Sequence, residues 1–177
     1  MARKIVAPVF FGVGAPTAAT GPKGSLYIRQ DGGTSTTLYV REAAGAAVKA
    51  SAILTLTGNA TNNQTVTIGS RVYTFKTTLT GAANEVKTGA AATNSIDNLI
   101  AAINAAAGAG TTYGTGTVAH ELVTAAAGAG DTMDLTAKAE GPAGNGIVLS
   151  ETLSAGSWNV SVTANGTFDN GAGWVAK

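Results

Sequence analysis

The stretch GSLYIRQDGGTSTTLYVRE, Gly24 to Glu42, is a β-hairpin written out in full. Leu26, Tyr27 and Ile28 form one short strand, and Leu38, Tyr39 and Val40 form another. Between them, Asp31-Gly32-Gly33 supplies residues that tolerate the positive φ of hairpin loops. Tyr27 and Tyr39 fall where cross-strand or same-face partners belong. A lone two-stranded hairpin is marginal in water, so this one needs a third strand, a covering layer or other subunits. The chain ends in NGAGWVAK, Asn170 to Lys177, which reads as a strand belonging beside that hairpin. A small β-unit is therefore split, and residues 43 to 169 lie in the gap.

The segment before the hairpin, Lys4 to Phe11, is apolar and partly β-like, with Pro8 keeping it off a central strand position. Gly12 to Gly21 reads as an extended loop, and residues 43 to 52, AAGAAVKASA, read as a linker. Beyond it the texture changes. Ile53 to Thr57 is a strand with Leu54 and Leu56 on one face. Thr65–Ile68 and Arg71–Lys76 form a hairpin closed by Gly69-Ser70, as a type II′ turn requires. That register puts Val66, Ile68, Tyr73 and Phe75 on one face.

Ile96, Leu99, Ile100 and Ile103 follow at i, i+3, i+4 and i+7, a single apolar stripe on a helix. Thr93, Asn94 or Ser95 is expected to cap it, Asp97 to sit in its first turn and Gly108 to stop it. Further strands are expected at Glu121–Ala125, at Met133, Leu135 and Ala137, at Ile147–Leu149, and at Trp158, Val160 and Val162. AAAGAG occurs at Ala105 and again at Ala125, too few copies for a solenoid.

The fold class expected is mainly β (α+β): a small β-hairpin unit interrupted by an inserted α+β domain with a mostly antiparallel sheet and one helix. Residues 1–49 plus 167–177 form the N-terminal arm and split docking unit, and 50–166 form the inserted domain. Insertions succeed where the guest's termini lie close together. The first strand of the guest, near Ile53, is therefore expected beside its last, near Thr163, with entrance after Glu42 and exit near Phe168.

Composition narrows the function. Charged residues make up 12% of the chain and the formal net charge is +1. A nucleic-acid or membrane-surface binder shows a basic excess instead. No stretch approaches the ~20 apolar residues of a membrane span. The N-terminal apolar run, Ile5 to Val13, contains Pro8 and Gly12 and lacks a cleavage site, so the chain reads as one made in a cytoplasm without its own export signal. The triplets at Asn59, Asn63, Asn159 and Asn165 then read as chance rather than glycan sites. There are no cysteines, which removes disulfides, thiolate metal sites and cysteine nucleophiles.

No catalytic constellation emerges. His120 is the single histidine and reads as a surface or loop residue. Asp131 and Asp134 provide two carboxylates where a calcium loop needs more, so they read as solvated strand-edge residues. GVGAPTAATG and GTGTVA lack the strand–loop–helix context and lysine of a phosphate loop. Ser25 and Ser70 lack a hydrolase elbow. No enzyme, cofactor or metal is expected. Tyr27, Tyr39 and Trp174 could line a glycan-binding face, but the preferred reading makes them the small core of the hairpin unit. Arg29 and Arg41, two residues after each tyrosine, flank that core or meet a neighbouring subunit.

Gly14 to Val40, GAPTAATGPKGSLYIRQDGGTSTTLYV, together with the terminal GWVAK, resembles a segment recurring in small virion structural proteins of tailed bacteriophages: capsid decoration (cement) proteins, head fibres and parts of tail fibres. There a Gly-Trp-x-Ala end follows the hairpin within a few residues. This chain departs by placing a whole domain before Gly173-Trp174. That domain, TVTIGSRVYTFKT through NLIAAINA to LTAKAEGPAGNGI, resembles an α+β module of phage tail and fibre proteins, including part of contractile-tail sheaths. The resemblance implies a non-enzymatic protein on the outer surface of the virion. Such a protein is expected to bind assembled major capsid protein and to form a homotrimer; the candidate capsid or subunit contacts are Phe10, Phe11, Tyr27, Arg29, Tyr39, Arg41 and Trp174. The alternative it allows is a tail or head fibre component, or an adhesin whose inserted domain binds host glycan or another tail protein.

Overall fold

Alternation of apolar and polar residues, rather than helical periodicity, dominates this chain, and strands result. The computed structural model describes residues 9–13, 25–33, 38–41, 47–167 and 174–176, with the backbone alone at 40, 41 and 174–176. In chain order its strands are β1 (Val9–Gly12), β2 (Leu26–Arg29), β3 (Leu38–Arg41), β4 (Lys49–Leu56), β5 (Thr65–Ile68), β6 (Arg71–Lys76), β7 (Glu85–Lys87), β8 (Val123–Ala127), β9 (Thr132–Glu140), β10 (Leu149–Glu151), β11 (Gly156–Trp158) and β12 (Trp174–Ala176). The helix α1 (Ala92–Asn104) lies between β7 and β8. The chain divides into two units, Met1–Val48 with Thr167–Lys177, and Lys49–Gly166.

The first unit is one four-stranded sheet in the order β1-β2-β3-β12. β2 and β3 form the antiparallel hairpin, with Tyr27 opposite Tyr39. The C-terminal β12 pairs antiparallel with β3, Val175 opposite Val40, so the strand read beside the hairpin is there. β1 adds in parallel to β2 at the other edge, the place a strand following Pro8 can occupy.

The second unit holds two four-stranded sheets, ordered β10-β5-β6-β7 and β11-β4-β9-β8, where a single sheet was expected. Pairing between these strands is antiparallel except β6–β7, which is parallel. The β5–β6 hairpin has the expected register, with Val66 opposite Tyr73 and Ile68 opposite Arg71 around Gly69 at φ 59°. Val66, Ile68, Tyr73 and Phe75 are fully buried, as are Leu54 and Leu56 of β4 and Met133, Leu135 and Ala137 of β9. Helix α1 lies against both sheets and buries Ile96, Leu99 and Ile103 in the same core. Ile100, at the edge of the stripe, is partly buried.

Several expectations change. Residues 49–52 are not linker but the start of β4, with Ala50 and Ala52 buried. Alanine suffices there because Gly144 and Gly166 bring other chain segments within van der Waals reach of Ala50. Lys49, as the first residue of β4, belongs to the second unit, not the first. The helix begins at Ala92 with Ala91 as a cap that makes no side-chain hydrogen bond. Ser95 lies inside it, buried, where its hydroxyl donates to Asn59 (2.6 Å) and accepts from the Gly89 N–H (2.9 Å). Asp97 falls beyond the first turn, and the helix ends on Ala105 in the left-handed region, before Gly108. Val160 and Val162 leave the last strand; Val162 instead bridges Val148. β10 is displaced to Leu149–Glu151 and β8 to Val123–Ala127.

The two ends of the second unit meet. Ser51 bridges Ala164 in antiparallel sense, and Val48 bridges Thr167 just outside them. Ile53 itself lies opposite Asn159, whose side chain accepts its N–H (2.8 Å). The expected points of entrance and exit, Glu42 and Phe168, lie outside the described residues.

Candidate functional site

The sheet of the first unit sorts its residues onto two faces. Successive side chains in a strand point to opposite sides. The rows Phe10–Tyr27–Tyr39 and Gly12–Arg29 therefore share one face, and the rows Val9–Leu26 and Phe11–Ile28–Leu38 share the other. Arg41 and Trp174 are register partners of each other. Of the candidate contact residues, the structure brings Phe10, Tyr27, Arg29 and Tyr39 together and sets Phe11 on the opposite side.

On the aromatic face, Tyr27 and Tyr39 meet edge to face, ring centroids 6.4 Å apart and planes at 76°. This arrangement suits the aromatic quadrupoles. Gly12 makes room for it: a Cβ there would come within 2.2 Å of the Tyr27 hydroxyl oxygen. Arg29 grips Asp31 with two charge-assisted bonds, Nε to Oδ1 at 2.8 Å and Nη2 to Oδ2 at 3.2 Å. Those bonds, followed by one to Tyr39, raise the guanidinium pKa further. Arg29 is thus held within its own chain, and the face is laterally tied from β2 to β3.

The opposite face is apolar. Phe11 is 64% exposed, Val9 45% and Leu38 37%, while Leu26 and Ile28 are half-buried. No charged residue stands among these five. None of the described apolar side chains of this unit is buried; the buried residue there is Ser25. Tyr27 and Tyr39, read as part of the small core of the hairpin unit, pack together and are half-buried. The sequence reading missed Gly12, Asp31 and the aliphatic row of Val9, Leu26, Ile28 and Leu38. The alternation in LYIR and LYVR carries that row.

In the second unit, His120 is a loop residue but not a surface one: it is 1% exposed. Its Nδ1 accepts the Leu122 N–H (3.1 Å), which leaves Nε2 protonated and donating to the Ile68 carbonyl (3.1 Å). Burial pushes its pKa below the ordinary value, opposed by the Ile68 bond. Asp131, half-exposed just before β9, accepts the Thr93 hydroxyl at 2.5 Å, and Asp134 is exposed. In GTGTVA, Thr117 accepts the Asn84 N–H (2.8 Å), a loop-bracing role. Among the described residues, no three His, Asp or Glu side chains gather into a metal-binding group.

A shallow cleft of about 240 Å³ opens between β10 and the segment after β11, lined by Leu149, Ser150, Glu151, Trp158, Val160 and Ser161. The Trp158 indole N–H donates to the Ser150 carbonyl (3.3 Å). The other described aromatic side chains of this unit, Tyr73, Phe75 and Tyr113, are buried.

No family model, curated protein or solved structure matches this chain.

Proposed function

We propose that the chain is a non-enzymatic structural protein of a tailed-bacteriophage virion, a capsid decoration protein that binds and stabilises the assembled head from outside. One observation carries this reading: the first unit presents an uncharged apolar sheet face whose side chains are not buried. Exposed apolar faces of this kind belong against neighbours. The phage-like hairpin segment supplies the class of neighbour. The apolar face of Val9, Phe11, Ile28 and Leu38 packs against the same face of two further copies, giving a homotrimer with a shared core. The face of Phe10, Tyr27, Arg29 and Tyr39, with Arg41 and Trp174, docks on major capsid protein. Binding only the assembled lattice stabilises that lattice by mass action. Burial of Tyr73, Phe75 and Tyr113 also favours this reading, since an adhesin would turn aromatic side chains outward.

The test is copy number per virion, by quantitative mass spectrometry against the major capsid protein. A stoichiometry comparable to the capsid protein is expected. A few copies matching tail or vertex symmetry would overturn decoration and favour a fibre component. Phe11→Asp is expected to convert the trimer to monomer in light scattering; a wild-type chain that is already a stable monomer at working concentration sinks the shared core.

The second reading, a fibre component or adhesin whose inserted domain binds host glycan, is favoured by the Trp158 cleft. There a half-exposed indole sits beside Glu151, Ser150 and Ser161. A shift of the Trp158 indole N–H resonance on titration with monosaccharides would support it.

A further inference from the structure

The segment Val118–Leu122 carries two exposed apolar side chains, Val118 at 64% and Leu122 at 45%, around one buried histidine. Hydrogen bonds tie it to α1, β6 and β9, among them one from the Lys138 N–H to the Leu122 carbonyl (2.8 Å). The His120 N–H donates to the Ile103 carbonyl at the end of α1 (2.8 Å). Lys138 of β9 donates to the His120 carbonyl (2.6 Å). Arg71 of β6 donates to the Val118 carbonyl (2.7 Å) and to Glu121 (2.5 Å). The imidazole makes the remaining links, accepting at Nδ1 from Leu122 and donating at Nε2 to Ile68.

We propose that His120 is an acid-released pin: taking up a proton detaches the 118–122 segment from the β5–β6 hairpin while the rest of the unit stays folded. The reason is geometric. Only a neutral ring with a free Nδ1 lone pair can accept the Leu122 N–H. A proton at Nδ1 turns that contact into two donors facing each other. The new charge would also lie near two cations, Arg71 and Lys138, with Glu121 the single anion close by and mostly exposed. Tyr73, whose ring centroid lies 6.4 Å from the imidazole, offers no relief. Its buried hydroxyl makes no hydrogen bond of its own. A buried cation without a facing carboxylate is expensive, so opening the segment to water is the cheaper response. Once open, Val118 and Leu122 leave the place where Leu122 lies beside the Gly69 turn, and apolar surface beneath becomes accessible.

The sign follows from which state binds the proton. The open segment has an ordinary histidine and the closed one a depressed one. The closed form is therefore fully favoured above about pH 6.5 and loses ground as pH falls below it. One extra proton in the open state makes the opening constant rise by up to about tenfold per pH unit in that window.

The experiment is amide hydrogen exchange with NMR on the full chain between about pH 7 and about pH 5, bracketing the ordinary histidine value of ~6.5. Exchange rates are corrected for their intrinsic pH dependence. The Leu122 amide is expected to lose protection steeply below that value while amides of β5 and β9 do not. Flat protection at Leu122 across the range overturns the proposal, as does loss of protection everywhere at once. His120→Gln, uncharged at every pH, is expected to abolish the dependence, and Glu121→Gln to keep it. The reverse pattern would assign the effect to the Arg71–Glu121 pair and overturn the role of His120. Should His120→Gln not fold, the ring resonances of His120 in the wild type decide: titration without any change at Leu122 overturns the pin.

Discussion

Ser51 and Ala164 exchange two backbone hydrogen bonds, 2.9 Å from the Ser51 N–H to the Ala164 carbonyl and 3.2 Å in return. Val48 and Thr167 do the same three residues further out on each strand, at 2.7 and 3.0 Å. The side chain of Asn145 closes the corner, donating to the Gly166 carbonyl (3.0 Å) and accepting its N–H (2.9 Å). The second unit is therefore sealed at the point where the chain enters and leaves it. Residues 49–166 expressed alone are expected to unfold in one cooperative transition, because the core, the Ser51–Ala164 pair and the Asn145–Gly166 bonds lie within them. Chemical denaturation checks this, and a chain without a cooperative transition would contradict it.

The helix ends on Ala105 with φ 48° and ψ 43°, a left-handed conformation that costs an L-residue about 1–2 kcal/mol. The Ala106 N–H reaches back to the Ala101 carbonyl at 2.9 Å, as a glycine-type helix terminus does. Ala105→Gly is expected to stabilise the second unit by about 0.5–1 kcal/mol, the strain relieved exceeding the added freedom of the unfolded chain. A shifted denaturation midpoint with unchanged slope is the readout.

Asn104 does for β8 what a neighbouring strand would. Its carboxamide donates to the Ala125 carbonyl (2.7 Å) and accepts the Ala125 N–H (3.0 Å), occupying the open edge of an uncharged strand. Unprotected edges of this kind invite pairing between molecules. Asn104→Ala is expected to cost about 1–2 kcal/mol and to increase self-association of the isolated second unit. Size-exclusion chromatography over a concentration series measures the second effect.

Glu85 is buried, yet its carboxylate stays charged. Burial alone would raise its pKa. The bonds it accepts from the Thr80 N–H (2.7 Å), the Thr80 hydroxyl (2.9 Å) and the Gly81 N–H outweigh that and hold it below the ordinary value. A depressed carboxylate contributes stability above its unfolded pKa of about 4.3 and loses it as pH falls through the folded value. Glu85→Gln is therefore expected to be less stable than wild type near neutrality, with the difference shrinking below about pH 4. Parallel denaturation series of the two proteins test it, and a difference independent of pH would count against the account.

Local pattern made much of this legible. The two-residue period of TVTIGSRVYTFK, with glycine at its turn, fixes a hairpin whose core face is Val66, Ile68, Tyr73 and Phe75, because a one-residue slip would expose all four. The helical stripe of Ile96, Leu99 and Ile103 is likewise visible without coordinates, as is the split of the hairpin from its third strand. The split also implies that the ends of the intervening domain lie close together, since both must return to one small sheet.

What the sequence could not decide depended on contacts distant in the chain. The alanines at 50 and 52 read as linker because alanine carries little hydrophobic signal; both are buried, Ala50 where Gly144 and Gly166 let other backbone segments approach. Ser95 has the chemistry of a helix cap, but Asn59 and Gly89, brought up by other segments, claim its hydroxyl from inside the helix. His120 looks solvated by its neighbours in sequence and is buried by Ile68, fifty-two positions away. The apolar face of the first unit was implicit in LYIR and LYVR, yet that Val9, Phe11 and Leu38 on it stay exposed became visible only with the sheet assembled. Periodicity records which side of a strand or helix a residue occupies; what lies against that side is set by tertiary packing, and the partners that bury or satisfy a group belong to other parts of the chain.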